Sequence, residues 1–217
     1  MLAAGGIVGD LTGWLKDISG HWWFLAIVLV IALLDSVVPV VPSETCVIIG
    51  GVAASAAGDG PYPVVLVIVA GALGAFLGDN LSYVIGHSFS DRVQKRAARK
   101  PKTAERLKWA HEQIEERGGL LLITARFIPG GRTVLTLSCG LTSQSRRWFS
   151  TWIAIAVAIW ATYAAVLGYV FGERFQDDHT LAFILAFTAA LSITVLIELA
   201  RWVRKRRTQD AVDRTAA

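Results

Sequence analysis

Two apolar stretches of this chain are long enough to lie within a bilayer, yet neither can be one unbroken helix. Residues 37–57 contain Pro39, Pro42, Glu44 and the pair Gly50-Gly51, and residues 120–140 contain Arg126, Pro129, Gly130, Gly131 and Arg132. Proline removes a backbone donor and turns the residue before it away from helical geometry. At membrane depth, backbone that is not helical survives only where protein covers it or where it lines a wet cavity. The chain must therefore build a protected polar interior around its two breaks. The expected form is a pair of re-entrant hairpins, at about 36–57 and 119–143.

The rest of the sequence supports a membrane setting. Apolar residues make up 54% of the 217 positions and charged residues 18%, below the roughly 25% charge of soluble domains. Residues 63–85, 148–171 and 180–202 each reach the about 20 residues that cross a bilayer as a helix. Residues 22–34 form a shorter apolar run. Nine Lys and Arg fall between His87 and Arg117, Arg146-Arg147 precedes the second long span, and Arg204 to Arg207 follows the last. The excess of basic residues in cytoplasmic loops puts all three on the cytoplasmic side. Asp59 and the segment 173–179 then lie outside, so the first hairpin enters from outside and the second from the cytoplasm. The expected fold is an all-α integral membrane protein with transmembrane helices and two oppositely oriented re-entrant helical hairpins, as in inverted-repeat transporters. Its parts are an N-terminal interfacial segment (1–21), a membrane domain (22–203) with a basic helical loop at 88–118, and a basic cytoplasmic tail (204–217). No cleavable leader is expected, because residues 1–20 lack a basic start followed by an apolar core.

The net charge of +4 and the pI near 9.3 do not indicate nucleic-acid binding, since the basic residues flank apolar spans. Cys46 and Cys139 stand apart in apolar surroundings without the spacing of metal ligands. No metal and no cofactor are expected.

Four charges sit on the broken segments: Asp35 and Glu44 on the first, Arg126 and Arg132 on the second. A charge at membrane depth costs roughly 2.5 to over 10 kcal/mol unless it is paired or hydrated. Their chemistry divides. A guanidinium offers a planar fork suited to phosphate, and free backbone N–H groups at Gly130 and Gly131 add anion affinity. A carboxylate in such a cavity can carry a proton, which arginine cannot. Phosphate binding is therefore expected at Arg126, Arg132, Gly130 and Gly131, and proton coupling at Asp35 and Glu44. Static ion pairing of the hairpins is the competing account. Asp79, Tyr83 and His87 recur every four residues on one helix face; they either join the cavity as accessory groups or cap the helix at the interface.

The run Ala125-Arg126-Phe127-Ile128-Pro129-Gly130-Gly131-Arg132-Thr133, followed by Gly140, resembles the signature of the DedA family, also called the VTT or SNARE-associated domain family. Asp35 with Pro39 and Pro42-Ser43-Glu44 is similar to that family's first hairpin, and residues 78–86 are similar to its Gly-Asp-x3-Tyr-x2-Gly element. His87 stands where the family often has arginine. The resemblance covers residues 25 to 200. It implies a multi-pass protein of the bacterial inner membrane that serves envelope homeostasis. The expected function is translocation of a lipid phosphate, undecaprenyl phosphate foremost, driven by the proton gradient, with membrane lipids and protons as its other partners. A proton-coupled small-ion antiporter and a phospholipid scramblase are the alternatives. An enzyme is not expected, because no nucleophile–base pair accompanies the arginines in sequence, and a lipid-binding organiser acting through the basic loop is a further competitor. The oligomeric state is open, a homo-oligomer included.

Overall fold

A computed structural model describes residues 21–38, 43–55, 62–126, 131–175, 181–182, 184–190 and 192. The described residues are helical or turn, with no strand among them. In chain order the helices are α1 (Phe24–Val37), α2 (Ser43–Ala54), α3 (Val64–Ser88), α4 (Ser90–Ala97), α5 (Pro101–Arg117), α6 (Gly119–Ala125), α7 (Gly131–Leu141) and α8 (Arg146–Arg174). Residues 184–190 are also helical. The N-terminal segment to residue 20 and the tail from 204 lie outside the described residues.

Two helices, α3 and α8, are long and apolar enough to cross a membrane. At 1.5 Å per residue their 25 and 29 residues give lengths of about 37 and 43 Å. Each buries one face and leaves an apolar stripe outward. On α3 that stripe includes Leu66, Val69, Leu73, Leu77, Leu81 and Val84, all at least 42% exposed. Soluble monomers rarely expose a continuous apolar patch of this kind, whereas hydrocarbon chains would cover it without cost.

Small residues set how the shorter helices approach these two. A Cβ at Gly74 would meet the Leu29 carbonyl, and one at Gly78 the Leu33 carbonyl and the Ser36 side chain. Backbone cannot move aside as a flexible side chain can, so α1 reaches its close packing on α3 only past glycine. Successive contacts rise together along both helices, which makes α1 parallel to α3. On α2, Gly50 packs on Val67 and Val47 on Gly71 of α3, while Ile48 packs on Gly168 and Ser55, just past α2, on Gly172 of α8. These contacts set α2 antiparallel to α3 and parallel to α8. Helices α1 and α2 therefore form an antiparallel pair in which the end of α1 lies beside Ser82, whose hydroxyl donates to the Ser36 carbonyl at 3.0 Å.

The second pair points the opposite way. Gly119 lies against the Trp152 ring, and Arg126, just past α6, sits over Trp160, so α6 runs parallel to α8 from its N-terminal end. Helix α7 returns along α3, with Gly86 against the Leu137 carbonyl and Gly140 against the Tyr83 carbonyl. The C-terminal ends of α1 and α6 and the N-terminal ends of α2 and α7 come together beside Asp79 and Ser82 on α3 and Trp160 and Tyr163 on α8.

The helix pair α1–α2 runs from Phe24 to Ala54; residues 39–42 between its two helices lie outside the described residues. Gly50-Gly51, expected to interrupt the helix, lies inside continuous α2. Both glycines serve close packing there. The second pair consists of α6 and α7, and residues 127–130 between them lie outside the described residues.

Between α3 and α6 the basic segment folds as α4 and α5, with Pro101 at the start of α5, where its missing N–H has no intrahelical partner to lose. Gly118 ends α5 at φ 56°, a left-handed conformation that glycine adopts without steric cost.

Candidate functional site

The break in α1 creates the first part of the site. Val38 N–H still reaches the Leu34 carbonyl at 2.8 Å, but residue 39 is proline and has no N–H for the Asp35 carbonyl. The last carbonyls of the helix must find other donors. The Ser36 carbonyl accepts from Ser82 Oγ at 3.0 Å and from Thr133 Oγ1 at 3.5 Å, which ties the first turn to both α3 and α7. The Asp35 side chain completes the link. Its Oδ2 lies 2.5 Å from Arg132 Nη2 and accepts a hydrogen bond from the Ser43 hydroxyl. One carboxylate oxygen thus joins α1, α2 and α7. This pair is largely buried, with 15% of the Asp35 side chain and 11% of the Arg132 side chain exposed.

The second part lies deeper. Arg126 Nη1 is 2.6 Å from Asp79 Oδ2, with side-chain exposures of 1% and 0%. The Arg126 guanidinium also lies over the Trp160 ring, 5.3 Å from its centroid, an arrangement in which the ring face attracts the cation. Asp35 and Arg132 are near enough to act on Arg126 electrostatically. Among the described residues, three buried polar side-chain atoms have no hydrogen-bond partner: Asp79 Oδ1, Arg126 Nε and Arg126 Nη2. Buried polar groups are nearly always bonded, so each such atom requires an explanation.

Glu44 stands apart from both arginines. Its Oε1 accepts a hydrogen bond from the Tyr163 hydroxyl on α8. Gly131 occupies the first position of α7, while Gly130 lies outside the described residues. Of the accessory candidates, Asp79 belongs to the buried pair. Tyr83 donates to the Gln144 carbonyl at 2.5 Å and stacks on Phe149, and exposed His87 stacks beside it. These two residues brace the end of α3 instead of reaching the charged junction.

The structure therefore regroups the expected charges. The acids of the first segment do not face the arginines of the second as a set of four. Asp35 takes Arg132, Arg126 takes Asp79 from the long helix, and Glu44 takes a tyrosine. Sequence reasoning overlooked Ser43, Trp160, Tyr163 and Thr133. Trp160 and Tyr163 carried a readable signal, since they lie three apart on one face of an otherwise apolar span. Ser43 and Thr133 lie within the runs that resemble the family, but nothing there pointed to their bonds, which follow from where the helix ends meet.

Chemically, the junction holds two cations and two carboxylates in close apposition, with a guanidinium edge still free to donate. Guanidinium donors and carboxylates are the groups with which proteins bind anions and exchange protons. Among the described residues no group of three His, Cys, Asp or Glu is placed to hold a metal ion.

The VTT domain model matches residues 41–170. Protein DedA of Escherichia coli (strain K12) is 26% identical over 186 residues, covering 84% of each chain. Inner membrane protein YohD of the same organism is 26% identical over 179 residues, 80% of this chain and 88% of the relative. Uncharacterized membrane protein YkoX of Bacillus subtilis is 27% identical over 148 residues, 65% and 66% of the two chains. No solved structure matches. With membrane proteins as its relatives, outward apolar stripes on its long helices and a domain match over most of its length, this chain is a membrane protein of the VTT-domain (DedA) family.

Proposed function

We propose that this protein moves a lipid phosphate, undecaprenyl phosphate foremost, across the bacterial inner membrane at the expense of the proton gradient. In this account α3 and α8 span the bilayer, and the pairs α1–α2 and α6–α7 are re-entrant hairpins entering from outside and from the cytoplasm. The basic helices α4 and α5 lie at the cytoplasmic surface. Arg126 and Arg132 hold the phosphate, with the first turn of α7 at Gly131, and the acids at the junction carry the proton. The lipid tail stays in the bilayer.

The observation that carries this reading is the meeting of two arginines and two aspartates where the oppositely directed pairs turn. Ion pairs so little hydrated are poor stabilisers compared with apolar side chains of the same volume, which favours a functional reason for them. Junctions of oppositely directed broken segments are where transporters of this general build place substrate. An enzymatic reading is weaker. The Ser43 hydroxyl shares its carboxylate partner with Arg132, and a carboxylate neutralised by arginine is a poor general base.

One observation favours a second reading. Each arginine already has its own aspartate, as expected of a small-ion antiporter in which the arginines only balance charge. Binding of an isoprenyl phosphate to the purified protein separates the two. The lipid-phosphate reading expects wild-type binding that weakens at least about tenfold in Arg126→Lys and Arg132→Lys, since lysine replaces a two-pronged contact with a point charge. Unchanged affinity in both variants would refute the assignment.

A further inference from the structure

The three unpartnered atoms beside Trp160 have a defined pattern: two donors, Nε and Nη2 of Arg126, and one acceptor, Oδ1 of Asp79. All three are within one hydrogen bond of each other's planar groups, because Asp79 Oδ2 is bonded to Arg126 Nη1. Asp79 thus grips one end of the guanidinium and leaves its Nε/Nη2 edge, the side that presents two parallel N–H bonds. Two phosphate oxygens match that edge. A fully ionised phosphate there, however, would put a second anionic group on the guanidinium that Asp79 already holds, while Asp79 Oδ1 can only accept. The contact becomes favourable when one proton lies between the phosphate oxygen and Oδ1.

Resting on the phosphate reading above, we propose that the Asp79–Arg126 pair binds a phosphate monoester together with one proton, so that Asp79 recognises the phosphate's P–OH and fixes the stoichiometry at one proton per phosphate. The proton sits on the phosphate oxygen, as a P–OH that donates to Asp79 Oδ1. Asp35 and Glu44, the acids first expected to couple the proton, already accept hydrogen bonds from Ser43 and Tyr163, and Asp35 is paired with Arg132. Of the other ionisable groups nearby, Tyr83 lies one turn along α3 from Asp79, and Asp35 and Arg132 act electrostatically on Arg126. The Tyr83 hydroxyl is committed to the Gln144 carbonyl. Asp79 therefore differs from the other junction acids in having a fully buried oxygen still without a partner.

Two properties follow. Affinity for the monoester falls about tenfold per pH unit above the phosphate's second pKa near 6, because the bound form has one proton more than the free dianion. A sulfate monoester, which has no proton to give Oδ1, binds at least about tenfold more weakly, by the rule that a buried acceptor left unpaired is costly.

The test uses the full-length protein in lipid nanodiscs with three probes: an isoprenyl monophosphate, the matching alkyl sulfate and inorganic phosphate. Wild type is expected to show the pH slope between pH 7.5 and 8.5 and the preference for phosphate over sulfate. Asp79→Asn, whose amide can donate to a dianion, is expected to lose both while still binding. Calorimetry of the wild type in two buffers of different ionisation enthalpy should register one proton taken up per isoprenyl phosphate at pH 8, and this readout does not depend on any variant folding. A slope and preference unchanged in Asp79→Asn, or no proton uptake by wild type, would overturn the assignment while leaving phosphate binding intact; a buried water satisfying the same three atoms gives that result. Inorganic phosphate binding as tightly as the isoprenyl ester would overturn the monoester assignment. Wild type binding none of the probes would overturn the phosphate reading and this inference together.

Discussion

The Asp79–Arg126 pair gives a direct measure of how this fold tolerates charge at its centre. The Asp79 side chain is fully buried and the Arg126 side chain 1% exposed, so solvent screening offers little relief. Removing one partner of such a pair leaves an uncompensated buried charge, at a cost of about 3–5 kcal/mol. Asp79→Leu and Arg126→Met should each lose about that much stability. Arg126→Met also gives up the contact with Trp160, worth about 0.5–2 kcal/mol. The double variant removes both charges and should recover most of the loss, with a coupling energy of about 3 kcal/mol between the sites. For a chain of this length, 1 kcal/mol corresponds to roughly 2–4 °C in Tm. Each single variant should therefore melt on the order of 10 °C below wild type in detergent, followed by tryptophan fluorescence, with the double variant close to wild type. The same double variant should bind no isoprenyl phosphate. Single-variant losses below about 1 kcal/mol, or losses that simply add, would refute the claim that the two groups form one buried pair. A stable double variant with wild-type binding would show that the pair serves the fold alone.

Three further outcomes follow from the packing. Gly78→Val places a side chain against the Leu33 carbonyl and should lower stability by about 3 kcal/mol or more, at the upper end for overpacking, which thermal unfolding reports; a neutral effect would mean α1 does not lie on α3 here. Ser36→Cys with Thr133→Cys, in a background without Cys46 and Cys139, should cross-link in membranes with a short bifunctional thiol reagent, because Thr133 reaches the Ser36 carbonyl; absence of the cross-link would contradict the meeting of the two turns. Tyr163→Phe removes the hydroxyl bonded to Glu44 and should cost about 1.5–3 kcal/mol, the range for a hydrogen bond to a charged group, while Glu44→Gln combined with it should add little more. Full additivity in thermal unfolding would argue against that bond.

Much of this arrangement is legible in the sequence, for identifiable reasons. The long apolar runs announce α3 and α8, since no other structure satisfies so many consecutive backbone groups in hydrocarbon. Pro39, Pro42 and Pro129 announce the breaks because proline cannot donate within a helix. Gly50-Gly51 misleads for the same kind of reason that prolines inform: a glycine that permits close packing and one that ends a helix look identical until the neighbouring helix is known. Gly74 and Gly78 are readable because their four-residue spacing puts both on one face of a span. The pairing of charges is not legible. Arg126 meets Asp79, 47 positions away, only because α6 and α3 converge at the same depth, and spacing along the chain encodes neither. The free edge of Arg126 is further removed still, since it depends on which nitrogen Asp79 takes.

The central claim is that the junction carries a lipid phosphate across the membrane. Its most direct test is translocation of an isoprenyl phosphate in proteoliposomes containing the purified protein under an imposed pH gradient. The account predicts transfer that requires the protein, stops when a protonophore collapses the gradient, and is lost in Arg126→Lys with Arg132→Lys. Transfer no faster than in protein-free liposomes, or transfer in that double variant at the wild-type rate, would contradict it.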